Sequence, residues 1–168
     1  MERSNILLLN PPADKVCIRD YFCSKTSRTG YLFPPVDLLV LSGRLSKDYN
    51  VWVIDAMVER LNFQTAIEKI AKMDLKAIIS LVGAVTWESD LEFLRRIKEV
   101  KSVPIICIGD VTLEKPKDLL LEYDYLDAIL LDFSGEDLLQ YLAGNSDKVK
   151  NMVIRADDIV IGKERSQE

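Results

Sequence analysis

The stretch NILLLNPP at residues 5–12 is the clearest indication of the fold class of this chain. Ile6 to Leu9 is an apolar run without polar alternation, and Asn10-Pro11-Pro12 ends it, as is typical of a strand in a parallel sheet covered on both faces. The sequence therefore predicts a first buried strand here. Four further runs of the same kind predict four more strands, at residues 51–54, 77–82, 103–108 and 126–131.

Segments of helical period separate these runs. They predict helices at residues 36–47, 63–71, 87–100, 116–122 and 135–142. Five βα units with short, right-handed connections favour a flavodoxin-like (Rossmann-like) doubly wound α/β fold. We expect a five-stranded parallel sheet in the order 2-1-3-4-5. A small hairpin is expected near residues 152–161, followed by a polar tail.

The composition argues against several classes of protein. The 168 residues are 48% hydrophobic and 29% charged, which does not fit a disordered chain. A net charge of -5 without any basic run argues against a nucleic-acid partner, and no apolar stretch approaches the ~20 residues of a membrane helix. The three cysteines, Cys17, Cys23 and Cys107, lack paired spacing, which indicates reduced thiols in the cytoplasm. The chain has no histidine, which excludes Ser-His-Asp triads and His-ligated metals within it.

The carboxyl ends of the predicted strands are the place to look for a site, because ligands of open parallel sheets bind there, where the strand order reverses. Small side chains let the backbone approach a planar ligand, although α/β turns also use Gly and Ser for structural reasons. Residues 11–33 form an unusually long connection without clear periodicity, which we expect to be mobile or ligand-dependent. Small residues recur directly after the predicted strands: Ser80, Gly83, Ala84, Gly109, Ser134 and Gly135.

Motifs of other common α/β sites are absent from the sequence. There is no G-x-x-x-x-G-K-[ST], and no G-x-G-x-x-G follows the first strand, which argues against a P-loop nucleotidase and a dinucleotide fold. A phospho-receiver carries acidic residues after its first and third strands. This chain has Asn10-Pro11-Pro12 and residues 80–84 at those places, which argues against a phospho-receiver. The carboxylates Asp110, Asp132 and Glu136 remain available to a small enzyme of another kind.

Several motifs together resemble a known family. NILLLNPP (5–12), a long loop containing Gly30, and PPVDLLVLSGRLSKDYNVWVIDA (34–56) look like the N-terminal cobalamin-binding domain of radical S-adenosylmethionine enzymes. Those domains open with a strand ending in Asn-Pro-Pro, continue with Pro-Pro and a helix, and reach a strand ending in Asp-Ala. The resemblance extends through residues 77–87, 103–120 and 125–142 to NMVIRADDIVIG (151–162).

This resemblance implies an accessory α/β domain at residues 1–145, with residues 146–168 as a hairpin and linker toward a C-terminal radical S-adenosylmethionine domain in cis. That missing domain would hold S-adenosylmethionine and a 4Fe–4S cluster, since the C-x-x-x-C-x-x-C motif of the family is absent here. Cobalamin would bind in its base-off form, without a protein His ligand. The resemblance implies no catalytic residue and no metal ligand in this chain. The implied cofactor-binding residues are Asn10, Pro11, Pro12, Tyr31, Ser80, Val82, Gly83, Gly109, Asp110, Val111, Ser134, Gly135 and Glu136.

Two other functions stay open at the level of sequence. The same architecture could act as a cofactor-free docking module that shapes a neighbouring catalytic domain. Alternatively, the chain could be a small stand-alone α/β enzyme that uses the three carboxylates named above.

Overall fold

Residues 3–156 and 159–162 are described by the structure, a computed structural model. The strands are β1 (Asn5–Asn10), β2 (Cys17–Arg19), β3 (Ser24–Thr26), β4 (Asn50–Asp55), β5 (Ala77–Leu81), β6 (Ile105–Ile108), β7 (Ala128–Leu130), β8 (Met152–Ala156) and β9 (Ile159–Gly162). The α-helices are α1 (Val36–Leu45), α2 (Phe63–Ala71), α3 (Trp87–Val100), α4 (Pro116–Glu122) and α5 (Asp137–Leu142).

The central sheet has seven strands in the order β4-β1-β5-β6-β7-β8-β9, while β2 and β3 form a separate antiparallel hairpin. Neighbouring strands from β4 to β7 are parallel, whereas β8 is antiparallel to β7 and β9 is antiparallel to β8. The predicted α/β class with a mostly parallel sheet is confirmed. The expected five strands need correction, because the C-terminal strands β8 and β9 extend the same sheet instead of standing apart from it.

Helices cover both faces of the sheet. Leu7 of β1 and Ile78 of β5 pack in the layer that holds α2, α3 and α4. Their neighbours Leu8 and Ile79 pack in the opposite layer, with α1 and α5. Successive side chains of a strand point to opposite faces, so an unbroken apolar run fits a position between two helical layers.

The second predicted strand departs from this pattern because it lies at the edge of the sheet. Ile54 of β4 is buried, but Trp52 is 54% exposed and Val53 is 49% exposed. The expectation that all five runs are covered on both faces is therefore wrong for β4. An edge strand has one neighbour only, so side chains on its outer side remain open to solvent.

Asp137, the first residue of α5, explains why β8 runs antiparallel to β7. Its carboxylate accepts hydrogen bonds from the backbone N–H groups of Lys150 and Asn151 and from the Asn151 side-chain amide. These bonds hold the start of β8 beside the carboxyl end of β7, where Met152 pairs with Leu130. From that end the strand can continue only in the opposite direction.

Substitution of Asp137 by Asn is expected to remove part of the acid sensitivity of the fold. Burial by itself raises the pKa of this carboxyl, but the hydrogen bonds from Lys150 and Asn151 together outweigh it and lower the pKa below its ordinary value of 3.8. A lowered pKa means stability that is present above pH 3.8 and is lost as the pH falls through the folded-state pKa.

Urea unfolding at a series of pH values measures this effect. Asp137→Asn should lower the free energy of unfolding by about 1–2 kcal/mol at neutral pH, with a smaller loss on acidification than in the wild type. The exposed Asp124→Asn serves as the control and should follow the wild-type curve. Parallel acid profiles of wild type and Asp137→Asn would contradict this assignment.

The long connection at residues 11–33 contains structure that the sequence did not predict. The β2–β3 hairpin occupies its middle, and Tyr21, in the hairpin turn, is buried. The Tyr21 N–H donates to Asp37 Oδ2 at 2.8 Å, and its hydroxyl donates to the carbonyl of Leu131. Side-chain and backbone contacts therefore attach this connection to both α1 and the end of β7.

Two predictions fall partly or wholly outside the described residues. The turn of the C-terminal hairpin includes residues 157–158, and the predicted polar linker covers residues 163–168. Within the described part of the chain, no helix has the length and apolar character needed to cross a bilayer.

Candidate functional site at the carboxyl edge of the sheet

The predicted site residues differ in how accessible they are. Tyr31, Ser134 and Glu136 are exposed, and Asp110, Val111 and Gly135 are half-buried. The rest of the set is buried: Asn10, Pro11, Pro12, Ser80, Val82, Gly83 and Gly109. More than half of the predicted site is thus enclosed by the protein itself.

A buried ion pair that sequence reasoning missed lies at this edge. Arg19 of β2 donates from Nε to Asp90 Oδ2 at 2.8 Å and from Nη2 to Asp90 Oδ1 at 2.6 Å. Both side chains are 0% exposed. Asp90 also accepts from the Thr86 hydroxyl at 2.7 Å and from the Gly83 N–H at 3.1 Å. Such a two-pronged pair fixes orientation as well as charge.

The Arg19 guanidinium also binds the end of β1. Its Nη1 donates to Asn10 Oδ1 and to the Pro11 carbonyl, both at 3.0 Å, and Nη2 lies 3.5 Å from the Pro12 carbonyl. Asn10 in turn donates to Asp55 Oδ1 at 3.1 Å. The crevice beside the ends of β1 and β5, where a ligand was expected, is filled by an arginine of the same chain.

One sequence signal could have pointed to this pair. Asp90 lies three residues after Trp87 and four before Leu94, so it falls on the apolar stripe of α3 instead of the polar face. A carboxylate on a buried stripe needs a partner. The identity of that partner was not visible, because Arg19 is distant in sequence and lies in a segment without periodicity.

Burial governs the titration of Asp90 and of two thiols. It raises the pKa of the Asp90 carboxyl, against the opposing effects of the Arg19 guanidinium and the hydrogen bonds from Thr86 and Gly83. It also raises the pKa of the Cys17 and Cys107 thiols. Both cysteines are therefore protonated at neutral pH and poor nucleophiles, and Cys107 is the core residue that its place in a strand predicts.

The β2–β3 hairpin covers the end of β5. A Cβ atom placed on Gly83 would lie 2.9 Å from Ser24 Cβ and 3.2 Å from Arg19 Cγ. The Val85 N–H donates to Ser24 Oγ at 3.2 Å. The space that the small residue leaves beside Gly83 is thus used by the hairpin.

The ends of β5 and β6 are closed against each other. The Val82 N–H donates to the Ile108 carbonyl at 2.9 Å. A Cβ on Gly109 would lie 1.8 Å from the Val82 carbonyl oxygen, so only glycine fits here. Asp110 bridges the same two ends, because its Oδ1 accepts from the Ala84 N–H at 3.2 Å.

The three carboxylates considered for a stand-alone enzyme are engaged in structural contacts. Asp110 holds the Ala84 and Val111 N–H groups, and Asp132 accepts from the Ser134 N–H and hydroxyl at 2.8 and 2.6 Å. Glu136 pairs with Arg44 of α1 at 2.7 Å. Their arrangement stabilises turns and helix contacts, and it does not converge on a common point.

Tyr31 belongs to an exposed apolar surface before and along α1. Its ring packs edge-on against Phe33 with centroids 5.3 Å apart. Val36, Leu39 and Val40 continue this apolar character on the outer side of the helix. Apolar side chains exposed close together in this way mark a candidate surface for binding another molecule or domain.

Two clefts lie at the carboxyl edge of the sheet. One of about 470 Å³ is lined by residues 84–89, after β5, and another of about 330 Å³ lies beside Pro12, Ala56 and Arg60, after β1 and β4. Within residues 3–156 and 159–162, no group of three or more Cys, Asp or Glu side chains is placed to hold a metal ion.

Comparison with known proteins gives a match in fold alone. No protein-family model matches the chain, and no curated protein matches it. TsrM from Kitasatospora setae, a radical S-adenosylmethionine methyltransferase, matches in two solved structures. The structure with tryptophan and a S-adenosylmethionine analogue bound has a TM-score of 0.73, 16% identity, and covers 98% of this chain. The structure with cobalamin and a [4Fe-4S] cluster bound has a TM-score of 0.71, 17% identity, and covers 96%.

The chain shares its fold with a part of TsrM. It spans about 30% of the length of that methyltransferase. At this level of identity the match extends to the architecture of the backbone and not to individual site residues.

Proposed function

We propose that this chain is a cobalamin-binding accessory domain of a radical S-adenosylmethionine enzyme, with no turnover by itself. The observation that carries the proposal is the fold shared over 96% of the chain with a methyltransferase that was solved with cobalamin bound. The motifs at residues 5–12 and 34–56 support the same family independently of the fold. S-adenosylmethionine and the 4Fe–4S cluster would belong to a further domain in cis, and the cytoplasmic location stays a prediction.

The exposed residues in the turns after β5 and β7 are more accessible to a flat macrocycle than the crevice that Arg19 and Asp90 fill. Ala84 and Val85 are exposed in the turn after β5, beside the cleft of about 470 Å³. Ser134 is exposed after β7. We propose that these residues contact the corrin, whose faces are apolar and whose rim carries amides.

Cobalamin, when bound, would supply a cobalt centre that carries a methyl group or electrons. The chain has no histidine, so it offers no imidazole to that cobalt. The role of the chain is to position the corrin and to shield one side of it from water.

Titration of the purified chain with hydroxocobalamin, followed by gel filtration, tests the proposal. Colour should travel with the protein, and Val85→Glu should weaken binding about tenfold or more, because a carboxylate pressed against an apolar macrocycle loses water without gaining a partner. Val100→Glu is the matched control, since Val85 and Val100 are both 49% exposed and Val100 ends α3, far from this edge.

The outcomes separate the alternatives. Equal binding by both variants would show that the site lies elsewhere on the chain. Absence of binding at tens of micromolar in all forms would reject the cofactor. It would then favour the cofactor-free docking module, which the filled crevice around Arg19 and Asp90 and the exposed apolar surface near Tyr31 support.

A further inference from the structure

We propose that the domain recognises the corrin macrocycle and leaves the nucleotide tail of cobalamin outside the sheet, so that it binds cobalamin and the tail-less cobinamide alike. This inference rests on the proposed function and refines the class of ligand. It limits what the family resemblance implies for Ser80, Gly83 and Gly109, which are among the implied cofactor-binding residues, because the structure has no opening beside them.

The seam between β5 and β6 is the first route that is closed to the tail. The two ends remain joined by the hydrogen bond from Val82 to Ile108, and the approach of the Val82 carbonyl to Gly109 leaves no room even for a methyl group. Thr112 is fully buried beneath this seam, and its hydroxyl donates to the Gly109 carbonyl at 2.8 Å. A benzimidazole ring needs a slot several ångströms wide, and backbone contact fills this one.

The crevice beside the ends of β1 and β5 is the second closed route. The tail carries a phosphate, which would seek a cation, and Arg19 is the cation at this place. Its guanidinium already donates to Asp90, Asn10 and the carbonyls of Pro11 and Pro12, and it is fully buried. A phosphate could reach it only by displacing Asp90, which would leave a carboxylate buried without a partner.

The buried polar side chains offer no free group to the ribose or the amide linker of the tail. In the part of the chain that the structure describes, each buried side-chain nitrogen or oxygen has a hydrogen-bond partner within the protein. A pocket built for a polar ligand usually leaves some donors or acceptors for that ligand. Two clefts described at this edge, one along residues 84–89 and one beside Pro12, Ala56 and Arg60, lie outside the ends of the strands and not between them.

The test compares two corrinoids on the unmodified chain. Dissociation constants for hydroxocobalamin and aquocobinamide are measured by absorbance titration under the same conditions. We expect values within about threefold of each other, or tighter binding of cobinamide, which has no cobalt–benzimidazole bond to break. Cobalamin binding tenfold tighter or more would overturn the inference while leaving the proposed function intact. Failure of both corrinoids to bind would overturn the proposed function and this inference with it.

A disulfide that fixes the β2–β3 hairpin to the end of β5 allows an independent measurement of hydroxocobalamin binding. Ser24→Cys with Gly83→Cys, in a Cys23→Ser background, should form a disulfide, because the Cβ positions lie 2.9 Å apart and need only separate by about 1 Å. Gly83 has φ -129° and ψ 146°, which a cysteine adopts easily. The oxidised form, verified by thiol titration, should bind hydroxocobalamin as tightly as the reduced form. Loss of binding on oxidation and recovery on reduction would show that the hairpin opens to admit the tail, and would overturn the inference.

Discussion

Asp90→Ala should lower the free energy of unfolding by about 3–5 kcal/mol, the range seen when one partner of a buried ion pair is removed. The substitution leaves the Arg19 guanidinium in a fully buried place without its carboxylate. It also removes the acceptor of the Gly83 N–H and the Thr86 hydroxyl. Guanidinium chloride unfolding measures the loss.

Glu92→Ala is the matched control, two residues further along the same helix. Glu92 pairs with Arg95 and Arg96, but at 44% side-chain exposure these pairs lie in water. Exposed pairs contribute little, so this variant should unfold close to the wild type. The double variant Arg19→Leu with Asp90→Leu should recover part of the lost stability, because no unpaired charge remains. If Asp90→Ala were as mild as Glu92→Ala, the pair could not be holding the hairpin in place.

Gly109→Ala should destabilise the fold by on the order of 3 kcal/mol, the upper end of the cost of overpacking a well-filled site. The added methyl group would fall 1.8 Å from the Val82 carbonyl oxygen, and relief requires a shift of backbone at the centre of the sheet. Thermal unfolding followed by circular dichroism measures the change.

Gly43→Ala is the matched control and should raise the stability of the fold in the same experiment. Gly43 lies inside α1, and nothing is within 4 Å of its added Cβ. Alanine in an open helical position should stabilise by about 0.5–1 kcal/mol. A neutral Gly109→Ala beside a stabilising Gly43→Ala would mean that the seam between β5 and β6 can open, which would also weaken the case against a threaded nucleotide tail.

Most of the regular structure follows from local patterns along the chain. The run at residues 6–9 forms β1, and the runs at 77–82 and 103–108 contain β5 and β6. Pro116 opens α4 as its missing N–H allows. These elements depend on side-chain periodicity and on proline chemistry, which operate within a few residues and are therefore readable from sequence.

The site was readable only in part. The topology of parallel sheets places the site at the carboxyl edge. Gly83 and Gly109 do mark positions where other atoms approach the backbone closely. The approaching atoms, however, are Ser24 and the Val82 carbonyl of the same chain instead of a ligand. A small residue indicates close approach by another group, but it does not distinguish a ligand from an atom of the same chain.

Residue order by itself settled the α/β class, the positions of the parallel strands and the absence of any imidazole for a metal or for acid–base chemistry. Three features became apparent from the folded chain: β8 and β9 join the sheet, β4 is an exposed edge strand, and Arg19 closes the crevice with Asp90. The first group depends on composition and short-range periodicity. The second depends on contacts between residues as far apart as 19 and 90, whose pairing is set by the packing of the whole chain.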